Sequence, residues 1–117
     1  MNENYFVWGR IDNSVSRYMM IDDNGDKVPD LGYRIIVRRS LIALRKFFAD
    51  NGLLKINIFD KDGNLIDMEY RRDDFTDEAI ELLKRKVGAW LDSKGSEKDP
   101  PDMRILVKEL AKIREGK

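Results

Sequence analysis

The stretch FDKDGNLI, residues 59–66, decides between two folds. Asp60, Asp62 and Asn64 are oxygen donors two residues apart with a glycine among them, the outline of a calcium loop between two helices. IDDNGDKV at 21–28 has nearly the same outline. A calcium loop of the helix-loop-helix kind needs oxygen ligands at positions 1, 3 and 5, glycine at 6 and a bidentate glutamate at 12. Counting from Asp60 puts Gly63 fourth and Arg71 twelfth, and counting from Asp22 puts Gly25 fourth and Tyr33 twelfth. Residues of strand type flank both loops. The metal reading therefore fails twice, and Asn24 with Gly25, like Asp62 with Gly63, is read as a pair that tolerates positive φ and closes a tight hairpin.

Strands and helices follow outward from these turns. YFVWGRI (5–11) and VSRYMMI (15–21) are aromatic and β-branched runs separated by Asp12, Asn13 and Ser14, which gives a first hairpin. LLKINIF and LIDMEY flank DKDGN as a second. In KVPDLGYRIIVRR, Pro29 and Gly32 suit a loop or edge, while YRIIV suits a third strand or the approach to a helix; residues 33–39 are read as strand. From about Ser40 a helix carries Leu41, Leu44, Phe47 and Phe48 on one stripe, with Ser40 as its N-cap and Asn51 and Gly52 as its stop. Asp73, Asp74 and Thr76 supply start signals for a helix over 77–92, whose Ile80, Leu83, Val87, Trp90 and Leu91 fall within an arc of roughly 120°. A last helix over 101–114 opens on proline and buries Met103, Leu106, Leu110 and Ile113.

Composition narrows the function. The chain has 117 residues, the size of one domain, and 38% of them are charged. Twenty-two basic residues balance 22 acidic ones, so there is no long-range field to capture a polyanion. With no histidine and no cysteine there is no Ser/His/Asp triad, no thiol nucleophile, no disulfide and no nitrogen or sulfur ligand for zinc. Carboxylate or lysine chemistry is what remains to an enzyme, and Asp73 and Asp74 read as caps rather than as a catalytic pair. No GxGxxG or Walker-type loop is present, so no cofactor is expected. No secretory signal and no bilayer-spanning apolar run are visible, which makes cytoplasmic the default and a membrane role unexpected.

Three charged features suit binding. Arg38, Arg39, Arg45 and Lys46 form a basic ridge if the middle helix begins a turn early, a shape for phosphates or simply a solvated face. Arg104, Lys108 and Lys112 line the outer side of the last helix, where solubility explains them. Asp22, Asp23, Asp26 and Asp30 crowd a turn and its exit into an acidic knob, whose complement is a basic protein surface.

The segments FFADNGLL and FTDEAIELLKRKVGAWLDSKGSEKDPPDMRILVKELAKI, within residues 47–113, resemble small uncharacterised bacterial proteins that share a helix ending in Trp-Leu, an Asp-Pro element and a short closing helix. Some of those accompany secreted toxins as immunity partners. The resemblance carries no catalytic or ligand motif. It implies a bacterial binding protein.

The expected architecture is a single α+β domain over 1–117, an antiparallel sheet built from two β-hairpins and packed against three helices. The expected function is non-catalytic protein binding, as an immunity-type inhibitor of a bacterial toxin or enzyme that uses complementary charge and exposed aromatic anchors. The alternative is a nucleic-acid-associated protein binding through the basic helix face.

Overall fold

The computed structural model describes residues 3–116. It shows an α+β fold with two antiparallel strand pairs. Strand β1 (Phe6–Trp8) pairs with β4 (Tyr70–Arg71), while β2 (Met19–Ile21) pairs with β3 (Lys27–Pro29). Between β1 and β2 lies a short helix, α1 (Ile11–Val15), and β3 leads into the long helix α2 (Leu31–Asp50). The C-terminal part is a continuous helical rod, α3 (Asp77–Leu82), a π turn (Leu83–Val87) and α4 (Gly88–Leu91), followed by α5 (Arg104–Glu115). With the rod taken as one, the described residues hold four α-helical stretches rather than the expected three.

The expected first hairpin does not form. Asp12, Asn13 and Ser14 are the middle of α1, because the Asp67 carboxylate accepts the Ile11 amide at 2.6 Å and the Asp12 amide at 3.1 Å and so satisfies donors that begin a helix. Freed from a hairpin, β1 finds its partner in β4, more than half the chain away. The real hairpin is β2–β3, closed around Asn24 and Gly25. Around DKDGN the turn forms as expected, but its flanks pair only through an isolated Phe59–Leu65 bridge.

The two turns are structural twins. In each, the aspartate that opens the loop accepts two backbone amides at Oδ1: Asp22 from Asn24 and Asp26, Asp60 from Asp62 and Asn64, all at 2.9 Å. The Gly25 amide donates to the Asp22 carbonyl and the Gly63 amide to the Asp60 carbonyl, each at 3.0 Å. Only the glycine takes positive φ, 81° in both loops, whereas Asn24 and Asp62 do not. The loops are thus three-residue hairpin turns with a glycine bulge, in which glycine alone uses the positive φ that each pair was expected to tolerate. Among the described residues no group of three or more acidic side chains is arranged to hold a metal ion.

Residues 33–39 are helical, not strand. Asp30 caps α2 by accepting the Tyr33 amide at 3.1 Å, and no residue from Tyr33 to Asp50 is glycine or proline, so the helix runs unbroken to Asn51 and Gly52 (φ 67°). Local β propensity in YRIIV is too weak to oppose a capped helix already under way. Ser40 is therefore a buried mid-helix residue whose hydroxyl donates back to the Val37 carbonyl at 2.8 Å.

One continuous core joins the rest. Leu44, Phe47 and Phe48 of α2 meet Phe75, Leu82 and Trp90 of the rod region and Leu106, Leu110 and Ile113 of α5. Trp8 stands edge-on to Phe48, Tyr70 and Phe75 at centroid distances of 5.1, 5.3 and 5.1 Å. The Trp90 indole donates to the Asp102 carbonyl at 2.7 Å, the bond that lets a buried tryptophan satisfy its polar edge. The π turn winds more residues per turn than an α-helix, and downstream of it Leu91 lies exposed; before it Leu82 is fully buried, and Leu83, expected on the inner arc, is half-buried. Helix α5 starts at Arg104, not at the prolines, with the Asp102 carboxylate accepting the Arg104 amide at 3.1 Å.

Candidate protein interface

The β2–β3 hairpin forms an arm tied to the body at its base. Arg34 of α2 donates from Nε to the Tyr18 carbonyl and from Nη2 to the Ser16 carbonyl, both at 2.9 Å. Tyr18 and Tyr33 pack edge to face at 4.8 Å beside it, and partial burial followed by the neighbouring Tyr18 pushes the Tyr33 hydroxyl up from its ordinary range. Beyond that base all three residues of β2 are exposed. A two-stranded ribbon has no second layer to cover it, so a run of three consecutive apolar residues, Met19, Met20 and Ile21, leaves side chains in water on both faces.

Further large apolar side chains are exposed on the first turns of α2. Ile21 is 63% exposed, Leu31 67% and Ile35 63%, and the last two lie at i and i+4 on one helix face. Single exposed leucines are ordinary, but contiguous patches above a few hundred Å² mark interaction sites. Farther along α2, Ile35 also lines a shallow groove of ≈ 440 Å³ with Ile42, Ala43, Pro100 and Pro101, the cations Arg38, Arg39 and Lys46, and the carboxylate Asp99.

The structure separates the expected acidic knob into two jobs. Asp22, Asp23 and Asp26 share the tip of the arm, and Asp30 sits at its base as the α2 cap. Asp22 is engaged by its own turn. Asp23 and Asp26 are exposed at the tip, beside the apolar strand.

Three residues of the expected basic ridge, Arg38, Arg39 and Lys46, line one groove, and Arg45 does not join them. Arg38 pairs with Asp12 at 2.6 Å, and Arg39 donates to the Glu97 and Lys98 carbonyls at 2.7 and 3.2 Å. Arg45 is inside the protein at 2% exposure, where β1 and β4 cover the second half of α2. Its guanidinium lies 4.9 Å from the Trp8 ring and 5.2 Å from the Tyr70 ring, and donates to the Gly9 carbonyl at 2.9 Å and the Leu41 carbonyl at 3.2 Å. Burial lowers its pKa from the usual arginine range, and burial likewise raises that of Tyr70, against the pull of the adjacent cation. Arg45 Nε and the Tyr70 hydroxyl make no hydrogen bond of proper geometry. Of the four, Lys46 alone is an exposed cation outside these contacts. On α5, Arg104, Lys108 and Lys112 are exposed as expected, with Arg104 paired to Asp102 at 2.7 Å.

A polar hollow of ≈ 380 Å³ lies between α1, α2 and α4, with Ser40 and Ser96 among its lining. Both hydroxyls donate to backbone carbonyls, Ser40 to Val37 and Ser96 to Leu91 and Ser93, and no imidazole exists in the chain to activate either. No described helix is long and apolar enough to cross a membrane.

No family model matches the chain, and no curated protein or solved structure is similar to it.

Proposed function

We propose that the chain is a non-catalytic protein-binding module that engages its partner through the β2–β3 arm and the first turns of α2. One observation carries this: Met19, Met20 and Ile21 of the arm and Leu31 and Ile35 at the start of α2 are all exposed, the two isoleucines and Leu31 to more than 60%, so the fold leaves five large apolar side chains uncovered. The tip aspartates, Asp23 and Asp26, add a charge that selects a basic surface and speeds encounter with it. Tyr18 and Tyr33 at the base supply aromatic anchors of the kind that dominate binding energy. The finer reading is an immunity-type inhibitor that covers the working surface of a bacterial toxin or enzyme; the sequence resemblance and the acidic tip support it. Binding nucleic acid through the α2 cations is the weaker reading, since Arg45 is buried and Arg38 and Arg39 are engaged within the chain.

A photo-crosslinking residue placed at Ile21 or at Ile35 in the native host tests the reading. Protein adducts are expected from both positions and not from Lys61 or Lys112, which are also exposed. Adducts that are absent, or that form equally from the control positions, would overturn it.

A further inference from the structure

The arm and the groove on α2 are complementary to each other. The arm offers apolar Met19, Met20 and Ile21 with Asp23 and Asp26 at its tip. The groove offers Ile35 and Ile42 with Lys46, the exposed cation outside the chain's own pairs, in a lining that also holds Arg38, bridged to Asp12, and the Arg39–Asp99 pair. We propose that the arm of one copy docks into the α2 groove of a second copy, and reciprocally, so that the chain self-associates as a two-fold dimer. This rests on the reading of the arm as a protein-binding surface and names this chain as the partner.

Register supports the match. A two-fold interface is isologous, so each copy must present both halves, which this surface does. With the two α2 helices antiparallel and crossing at Ile35, Leu31 of one copy faces the partner's Arg39, four residues to either side of the axis. The arm reaches about 13 Å from Asp30 to Asp26, at roughly 3.3 Å per strand residue. That distance along a helix rising 1.5 Å per residue is about nine residues. An arm lying along the partner's helix therefore reaches from the partner's Arg39 past the partner's Lys46, which is the exposed cation nearest its acidic end.

Size and charge agree with this. The exposed parts of Met19 and Ile21, on one face of the ribbon, with Leu31 and Ile35 come to on the order of 400 Å². That is about half of the roughly 800 Å² per partner of a stable interface, before the tip and the groove rim are counted. The chain as a whole is neutral, so no net repulsion opposes the approach of a second copy. An acidic amphipathic peptide from another protein would suit the groove but would leave the apolar strand in water; the second copy covers both.

Sedimentation of the full chain between about 10 μM and 1 mM tests the dimer, a range that brackets weak self-association. The mass is expected to rise from 13.7 kDa toward twice that value. Asp23→Lys with Asp26→Lys, and separately Lys46→Glu, should each weaken association at least about tenfold. An equimolar mixture of the two variants should recover it. Circular dichroism checks the fold of each. A wild-type mass that stays at 13.7 kDa, a dimer indifferent to both reversals, or folded variants whose mixture does not recover would each overturn the proposal. A monomeric chain that still crosslinks another protein from Ile21 sinks the dimer and leaves the protein-binding reading standing; a monomer with no adducts sinks both.

Discussion

Arg45 is the residue whose replacement discriminates most sharply between physical accounts of this core. Its guanidinium makes one long-range charged hydrogen bond, to Gly9, and lies against two aromatic rings. Such a hydrogen bond contributes about 1.5–3 kcal/mol, and each desolvated ring contact about 0.5–2 kcal/mol. Against these stands the desolvation of the charge, several kcal/mol for a buried ion. Arg45→Ala removes all of this and leaves a cavity between Trp8 and Tyr70, so we expect a net loss of about 3–5 kcal/mol. Arg45→Met keeps the aliphatic stem and removes the charge. It orphans the Gly9 carbonyl at about 1–3 kcal/mol but relieves the desolvation, so it should cost less than about 2 kcal/mol. Urea unfolding followed by tryptophan emission measures both, since Trp8 is the ring beneath the guanidinium. With a slope of about 2 kcal/mol/M, the alanine variant should shift its midpoint by about 2 M. An alanine variant that unfolds with the parent would refute a holding role for Arg45. A methionine variant as weak as the alanine one would show that charge, not volume, is what the site requires.

Three further outcomes follow from other bonds. Trp90→Ala should cost about 3–5 kcal/mol, and Trp90→Phe less but still more than 1 kcal/mol because the Asp102 carbonyl loses its donor; unchanged melting of either would mean that the indole is not a core anchor. Calorimetry should find no saturable heat at micromolar calcium, since the Oδ1 atoms of Asp22 and Asp60 are each taken by two backbone amides, and a micromolar site at either turn would contradict that geometry. The Arg104 side chain, then its amide, holds the Asp102 carboxyl well below the usual carboxylate range. A depressed folded-state value gives stability that is present above the unfolded pKa of about 3.9 and lost as pH falls through the folded one. Asp102→Asn should therefore lose less stability than the parent on acidification below about pH 4, and parallel acid titrations of the two proteins would argue against the pair.

What was legible in the sequence was whatever neighbours in the chain decide. The stripes Leu44, Phe47 and Phe48, then Val87 and Trp90, then Leu106, Leu110 and Ile113 all face inward, because a helix converts spacing directly into a face. The twin Asp-Gly turns were legible for the same reason. Helix α1 was not, because its cap, Asp67, comes from 56 positions away. Nor was the β1–β4 pair, since strands of three and two residues carry too little pattern to name a distant partner. Arg45 was misplaced because charge argues for the surface, and only the arrival of Trp8 and Tyr70 makes an interior suited to a cation. The arm was half visible: its acidic tip could be read, whereas its exposure depends on the ribbon having no second layer.

The two tryptophans sit at opposite ends of the order in which such a chain can condense. Trp90 closes onto Asp102, 12 residues away, and its helix packs on the next one in sequence. Trp8 meets its ring partners Tyr70 and Phe75 only when more than 60 residues have been looped. At (3/2)RT ln n, the longer closure costs about 1.5 kcal/mol more in chain entropy before any contact repays it. A refolding chain should therefore bury Trp90 early, with the rod and α5, and Trp8 late, when β1 docks. Stopped-flow emission from two variants, each keeping one tryptophan, would resolve these as separate rates, and the slower one would time the moment at which Arg45 leaves water.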